Sequence, residues 1–225
     1  MHSNVQKIVS REASLPVSNG VKFSWGTQTY LMGIINVTPD SFSGDGMLKS
    51  AENGSRYIEV AVAQGVQMEK DGADILDIGG ESTRPGSTPV SLEEELRRVI
   101  PVIEGLTKSI SIPISIDTYK AEVAQRAIEA GASMINDVWG GRMDPNILKI
   151  AAEGNVPIIL MHNRSRPRDA EQSQTLGGRY VEVEYKDLLG DIKNELQEQI
   201  NAALAAGVQK ENIIIDPGIG FGKTV

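Results

Sequence analysis

The chain has 225 residues, enough for one domain with a sizeable core. Its net charge of −8 argues against a nucleic-acid binder, which would show a basic face, but leaves room for a small anionic substrate held by a local Arg or Lys cluster. With no cysteine, disulfides, thiolate metal sites and thiol nucleophiles are excluded.

Residues 1–20 contain no apolar stretch of signal-peptide length and read as a loose leader. No run approaches the ~18 apolar residues of a membrane span, so a soluble, cytoplasmic protein with no membrane partner is expected. Residues 21–29 suit a short hairpin with Gly26 in the turn, and 30–37 form the first buried strand. A polar, glycine-rich loop (38–49) follows. A helix over 51–70 carries Ile58, Ala61, Val62 and Gly65 at helical spacing and ends at Gly72. The second strand is 74–79, followed by the loop GESTRPGST.

Ser91 and Glu94 resemble a capping box that opens a helix through Leu96, Val99, Ile103 and Leu106. Pro101 lies inside it, so a kink or two segments are expected. The third strand is 113–117. A helix with Val123, Ala127 and Ile128 closes at Gly131, and the fourth strand is 133–138. Asp144 followed by Pro145 reads as an N-cap and first helical residue. The fifth strand is 156–161. Residues 163–179 read as a long polar loop, which is functional or disordered as a rule. The last helix carries Leu188, Ile192, Leu196, Ile200 and Leu204, closes at Gly207, and leads to a sixth strand, 212–216.

Six apolar runs (31–36, 75–77, 114–117, 134–137, 158–162 and 213–216) end in Asn36, Asp77, Asp117, Asn136 with Asp137, His162 and Asp216. Runs of this kind read as parallel strands buried on both faces. One polar strand end is a turn residue or a cap. Six in series point to a polar ring at the carboxyl ends of the strands, where an α/β barrel keeps its active site. With six βα units, the chain is either an open doubly wound sheet or a (β/α)8 barrel lacking its last quarter. Its length favours the barrel, which takes ~250 residues when complete.

Several of these residues carry chemistry. The amide oxygen of Asn36 suits a Mg²⁺ that keeps its waters and binds substrate phosphates, or else it makes a turn hydrogen bond. Ser82, Thr83 and Arg84 offer hydroxyls and a guanidinium to an anion, or else Arg84 is a solvated turn residue. Asp117, Asn136 and Asp216 suit a flat heterocycle bearing amino and lactam groups, or else they cap helices, which fits Asp144 better than Asp216. His162 reads as structural, and Met161 and Phe221 as walls of a ring pocket or as core. GIGFGKT at 218–224 lacks the spacing of a nucleotide phosphate loop, and no dinucleotide fingerprint is present.

Taken together, MGIINVTPDSFSGDG (32–46), ADILDIGGESTRPG (73–86), PISIDTYKAEVA (113–124), INDVWGG (135–141), IILMH (158–162) and IIIDPGIGFGKT (213–224) resemble the dihydropteroate synthases of the folate pathway. These blocks run from about residue 30 to the end. The resemblance implies a TIM (β/α)8 barrel over 21–225 with about six of its eight βα units in this chain. It also implies condensation of 6-hydroxymethyl-7,8-dihydropterin diphosphate with p-aminobenzoate, aided by Mg²⁺. Asn36 would be the metal ligand. Asp117, Asn136 and Asp216 would grip the pterin, with Met161 and Phe221 lining its pocket. Thr83 and Arg84 would lie near the diphosphate, and Phe42 and Pro85 near p-aminobenzoate; Thr83, Arg84 and Asp117 are the candidate catalytic residues. A homodimer is implied for the full-length protein.

Two departures from the family bear on this. The family continues past Asp-Pro-Gly to a Ser-Arg-Lys and an Arg-x-His motif, and Lys223 does not replace them, so these 225 residues alone are expected to be weak or inactive. The first loop reads SFSGDG where many members read SFSDGG, which leaves the role of Asp45 open. Two alternatives are a pterin-binding methyltransferase domain that passes a methyl group to a corrinoid protein, and a remnant that only binds pterin.

Overall fold

The computed structural model describes residues 14–16, 22–38, 56–82, 89–164, 170–173, 177–180 and 184–223. Two short strands, β1 (Ser14–Pro16) and β2 (Lys22–Ser24), pair antiparallel. The hairpin therefore reaches back into the expected leader rather than closing within 21–29, and Gly26 sits at positive φ in the turn that follows it. Six parallel strands come next: β3 (Met32–Asn36), β4 (Ile75–Gly79), β5 (Ile114–Asp117), β6 (Met134–Asp137), β7 (Ile158–Met161) and, after a second hairpin, β10 (Ile213–Asp216). That hairpin, β8 (Ala170–Ser173) and β9 (Gly177–Tyr180), lies where a loop was expected. Its sequence, AEQS and GGRY, has none of the apolar alternation that marks a strand.

The parallel strands stand in strict chain order, β3-β4-β5-β6-β7-β10. A doubly wound sheet reverses its order at a switch point, and this sheet does not. Helices α1 (Arg56–Lys70), α2 (Leu92–Thr107), α3 (Ala121–Glu129), α4 (Asn146–Gly154) and α5 (Leu188–Ala205) fill the crossovers. Each packs on the next, so they form one outer layer. The result is an arc of a (β/α)8 barrel.

Side chains alternate across the strands. Ile35, Leu76, Ile78, Ile114, Ile116, Ile135, Ile158 and Leu160 point outward and are buried against Val99, Val102, Ile103, Ala124, Ala127 and Ile147 of the helices. The inward parity holds a smaller cluster, Phe23, Ile75 and Met134 with Tyr30, Ile159 and Ile214, which fills the amino-terminal end of the arc. Among the described residues no ladder joins β3 to β10, and Met32, Ile34 and Ile215 on these edge strands are exposed.

The helix boundaries follow local chemistry. Ser91 Oγ accepts from Glu94 N at 3.2 Å, the donor half of the expected capping box. The Glu94 carboxylate instead binds Arg97 and Arg98. Pro101 does not split α2: the helix is continuous. Proline leaves the carbonyl four residues earlier without its usual donor, and that carbonyl, Arg97 O, accepts from the Tyr57 hydroxyl of α1 at 2.8 Å. Asp144 caps two helices rather than one, accepting from Asn146 N of α4 and Ala121 N of α3.

Candidate active site

Backbone register sets the site. Asn36 stands opposite Gly79, Gly79 opposite Asp117, and Asp117 opposite Asn136, while Asp216 stands opposite Met161. Four of the expected groups, Asn36, Asp117, Asn136 and Asp216, therefore sit at the carboxyl ends of their strands, facing inward. Gly79 is the gap among them. A Cβ there would lie 3.4 Å from Asp117 Oδ2 and 3.7 Å from Asn36 Oδ1, so any side chain would fill the space between these oxygens.

Asp77 differs from the expectation. It is not the end of its strand but its middle, one pleat below Gly79. It is almost wholly buried, and its Oδ2 accepts from Asn136 Nδ2 at 2.9 Å. Sequence reading noted this carboxylate and left it out of the site. The signal was present in the two-residue spacing that puts Asp77 and Gly79 on one face of β4.

The site is acidic and poorly solvated. Burial pushes the Asp77 carboxyl up, against the lowering influence of Ser115 and Asn136. Asp117 rises well above the usual carboxylate range, first through burial and then through the negative charges of Asp77, Asp137, Glu95 and Glu81. Asp117 keeps some exposure as a residue, yet its Oδ1 is sealed from solvent and unpartnered. Two such carboxyls side by side resist being charged together. A donor-rich or cationic heterocycle relieves that strain by pairing with Asp117.

Asp137, adjacent to the ring, turns the other way. It accepts from Trp139 N and Gly141 N and is pushed up to about 6 by burial, so it organises the β6–α4 loop. That loop supplies Val138 and Trp139, which join Met161, Tyr119 and Phe221 in an apolar cluster at the strand ends. Met161 and Phe221, read from sequence as walls of a ring pocket or as core, both belong to this cluster. Sequence reading missed Tyr119, Val138 and Trp139, each of which lies two or three residues past a ring group, Asp117 or Asn136.

The segment after β10 is strapped to β7. His162 N donates to Asp216 O at 2.8 Å, and Gly218 N donates to Asp216 Oδ1 at 2.7 Å. Lys223 Nζ donates to His162 O at 2.9 Å and to Phe221 O at 3.1 Å, so its ammonium is spent on backbone carbonyls. Burial brings it down to about 8. The His162 ring is buried, with Nε2 3.0 Å from Glu195 Oε2, and burial lowers its pKa, in keeping with a structural role. Gly218 has φ +65°, and a Cβ there would lie 2.2 Å from His162 O. Gly218→Ala is therefore expected to cost on the order of 3 kcal/mol. A thermal melt checks this, and an unchanged midpoint would refute the strap.

A second polar cluster holds the stems of the loop after β4. Lys120 Nζ donates to Glu81 Oε2 (2.6 Å), Val90 O (2.7 Å) and Glu95 Oε2. Thr118 Oγ1 donates to Glu95 Oε1, and Arg98 Nη1 donates to Gly80 O. Phe42, Thr83, Arg84 and Pro85 lie outside the described residues.

Among the described residues no group of three or more His, Cys, Asp or Glu forms a metal cage. The ring instead offers a single exposed amide oxygen, Asn36 Oδ1, beside the Gly79 gap. One such ligand fits an ion that keeps most of its waters and takes substrate oxygens, as Mg²⁺ does.

A family model described as "Pterin binding enzyme" matches residues 32–225. The chain belongs to the pterin-binding enzyme family. Relatives within it include the dihydropteroate synthase of Clostridium beijerinckii, 51% identical over 203 residues, which are 90% of this chain and 67% of that protein. The dihydropteroate synthase of Bacillus subtilis is 50% identical over 201 residues, 89% of this chain and 62% of its own. The dihydropteroate synthase of Xanthomonas albilineans with 4-aminobenzoic acid superposes with a TM-score of 0.79 at 43% identity, covering 95% of this chain and 69% of that one. The same enzyme in complex with 7,8-dihydropteroate gives 0.70 at 42% identity, covering 88% and 63%. The chain thus spans about two thirds of the length of these pterin-binding relatives. Among the described residues no helix is long and apolar enough to cross a membrane.

Proposed function

We propose that the chain is the pterin-holding part of a dihydropteroate synthase, which joins p-aminobenzoate to 6-hydroxymethyl-7,8-dihydropterin diphosphate and releases diphosphate. The observation that carries this reading is the inward ring of Asn36, Asp117, Asn136 and Asp216 around the Gly79 gap.

Asp117, Asn136 and Asp216 bind the amino and lactam edge of the pterin, and Met161 and Phe221 flank its faces. As the methylene–oxygen bond to diphosphate breaks, positive charge develops on the pterin, and the buried carboxylates stabilise it. The amine of p-aminobenzoate then forms the new carbon–nitrogen bond and loses one proton, so no protein nucleophile is required. Asn36 would hold Mg²⁺, which supplies positive charge to the departing diphosphate. Thr83 and Arg84 would bind that diphosphate, and Phe42 and Pro85 would contact p-aminobenzoate. Residues 21–225 form one barrel domain behind a leader, in a cytoplasmic protein that is a homodimer when full length.

The test supplies the full-length product of the gene with both substrates and follows 7,8-dihydropteroate and diphosphate in equal amounts. Methyl transfer from a methylated folate to a corrinoid protein would overturn the proposal in favour of the methyltransferase. Pterin binding without condensation would reduce the protein to a binding remnant.

A further inference from the structure

Asp77 is a buried carboxylate in the middle of β4. It is almost wholly buried on the inward face of β4, between Ile75 and Gly79 and opposite Ser115, and a buried acid costs stability unless its oxygens are satisfied. One oxygen, Oδ1, makes no hydrogen bond among the described residues. The other accepts from Asn136 Nδ2 at 2.9 Å across two intervening ladders. In register Asp77 stands opposite Ile34 and Ser115, one pleat beneath the level of Asn36, Gly79, Asp117 and Asn136. The ring groups stand between it and the mouth, so it acts on a ligand through one of them.

We propose that Asp77 is a positioning residue: it fixes the Asn136 carboxamide with Nδ2 turned into the barrel, so that the site presents the oxygen Oδ1 to the heterocycle. A carboxamide has a donor end and an acceptor end of nearly the same shape, and its neighbours decide which faces where. An ionised carboxylate only accepts, so it draws the amide NH₂ toward itself and repels the amide oxygen. With Asp77 in place, the ligand edge facing Asn136 must carry an N–H donor. A heterocycle offering an acceptor there would meet a second acceptor and be rejected. Asp77 thereby sets which edge pattern the ring accepts. The inference rests on the pterin-binding reading above and adds the residue that enforces its orientation.

The test is a double-mutant cycle in the full-length gene product, using Asp77→Leu, which keeps the size and removes the acceptor, and Asn136→Ala. Binding of 6-hydroxymethyl-7,8-dihydropterin is read by calorimetry and the KM of p-aminobenzoate by turnover. Asp77→Leu is expected to weaken dihydropterin binding about 10- to 100-fold with the p-aminobenzoate KM within about two-fold. In the Asn136→Ala background the same substitution is expected to change dihydropterin binding less than about two-fold. Full repetition of the loss in that background, or wild-type affinity in Asp77→Leu, overturns the proposal. If Asp77→Leu does not fold, Asp77→Ala, which also removes the acceptor, runs the same cycle under the same criterion. If the wild type binds no dihydropterin, the functional reading fails instead. Exchange of the Asn136 side-chain amide protons then decides the anchoring: slow in wild type and faster in Asp77→Ala supports it, and equal rates overturn it.

Discussion

Asp117→Asn is expected to lower turnover about a thousand-fold and, at neutral pH, to raise the melting temperature of the unliganded protein. The first effect follows from the proposed role of Asp117, whose charge would face the pterin where positive charge develops. The second follows from the environment of Asp117, whose carboxyl is held well above its ordinary pKa by burial and then by Asp77, Asp137, Glu95 and Glu81. An acid with a raised folded pKa binds more protons folded than unfolded. Its stability penalty is absent below the unfolded value of about 3.9, grows as pH rises toward the folded pKa, and is complete above it. Asparagine carries no such penalty. The melting advantage of the variant should therefore vanish near pH 3 and grow as pH rises from there, at about 2–4 °C for each kcal/mol recovered. The partial exposure of Asp117 softens the gain without changing its sign. Thermal melts from pH 3 to 8 with a parallel turnover assay check both halves. A variant that is less stable at pH 7, or fully active, would show that the carboxyl is neither strained nor used.

Lys120→Met should have the largest effect on the framework. Glu95 is 1% exposed, and Lys120 is its only cation among the ion pairs of the described residues. Breaking a buried pair by removing one partner costs ~3–5 kcal/mol, because the remaining charge stays buried. Lys120 retains 17% side-chain exposure, so the lower end, about 3 kcal/mol, is expected here. Glu95→Gln in the same chain should recover much of that loss. Burial alone would lower the Lys120 pKa, but its bonds to Glu81 and Glu95 outweigh burial and raise it. The stabilisation from this cluster is thus full below the unfolded lysine pKa of about 10.4 and is lost only as pH climbs through the higher folded value. A Lys120→Met protein that melts like wild type at pH 7 would refute the clamp. Because Glu81 and Val90 are the stems of the segment carrying Thr83, Arg84 and Pro85, the p-aminobenzoate KM should rise in this variant as well.

The sequence was most legible where one physical signal dominated. The parallel strands showed as apolar runs because both of their faces are buried, and the glycines at 72, 131 and 207 marked helix ends because each adopts positive φ. Asn36, Asp117, Asn136 and Asp216 were readable because a polar residue ending such a run has few reasons to be there. Elements whose signal is tertiary were not readable. Pro101 predicted a break because the donor that replaces its missing N–H, the Tyr57 hydroxyl, comes from a different helix. The β8–β9 hairpin has no apolar face to betray it. Asp77 was passed over because its partner lies 59 residues away, and Lys120 because a lysine at the head of a helix reads as solvated until Glu81 and Glu95 are seen around it.

The level register of the ring restricts how a gene for this protein can drift. Every ring group shares the parity of the inward side chains on its strand, and the greasy outer wall occupies the opposite parity. Loss or gain of one codon within β3, β5, β6 or β10 would exchange the two sets along that strand, turning a carboxylate or amide into the helix layer and an isoleucine into the mouth. The ladder could still form its hydrogen bonds, so the damage would be to packing and chemistry together. Length changes are therefore tolerable in the connections and ruinous inside the strands, whereas point substitutions at outward positions can be absorbed by repacking against the helices.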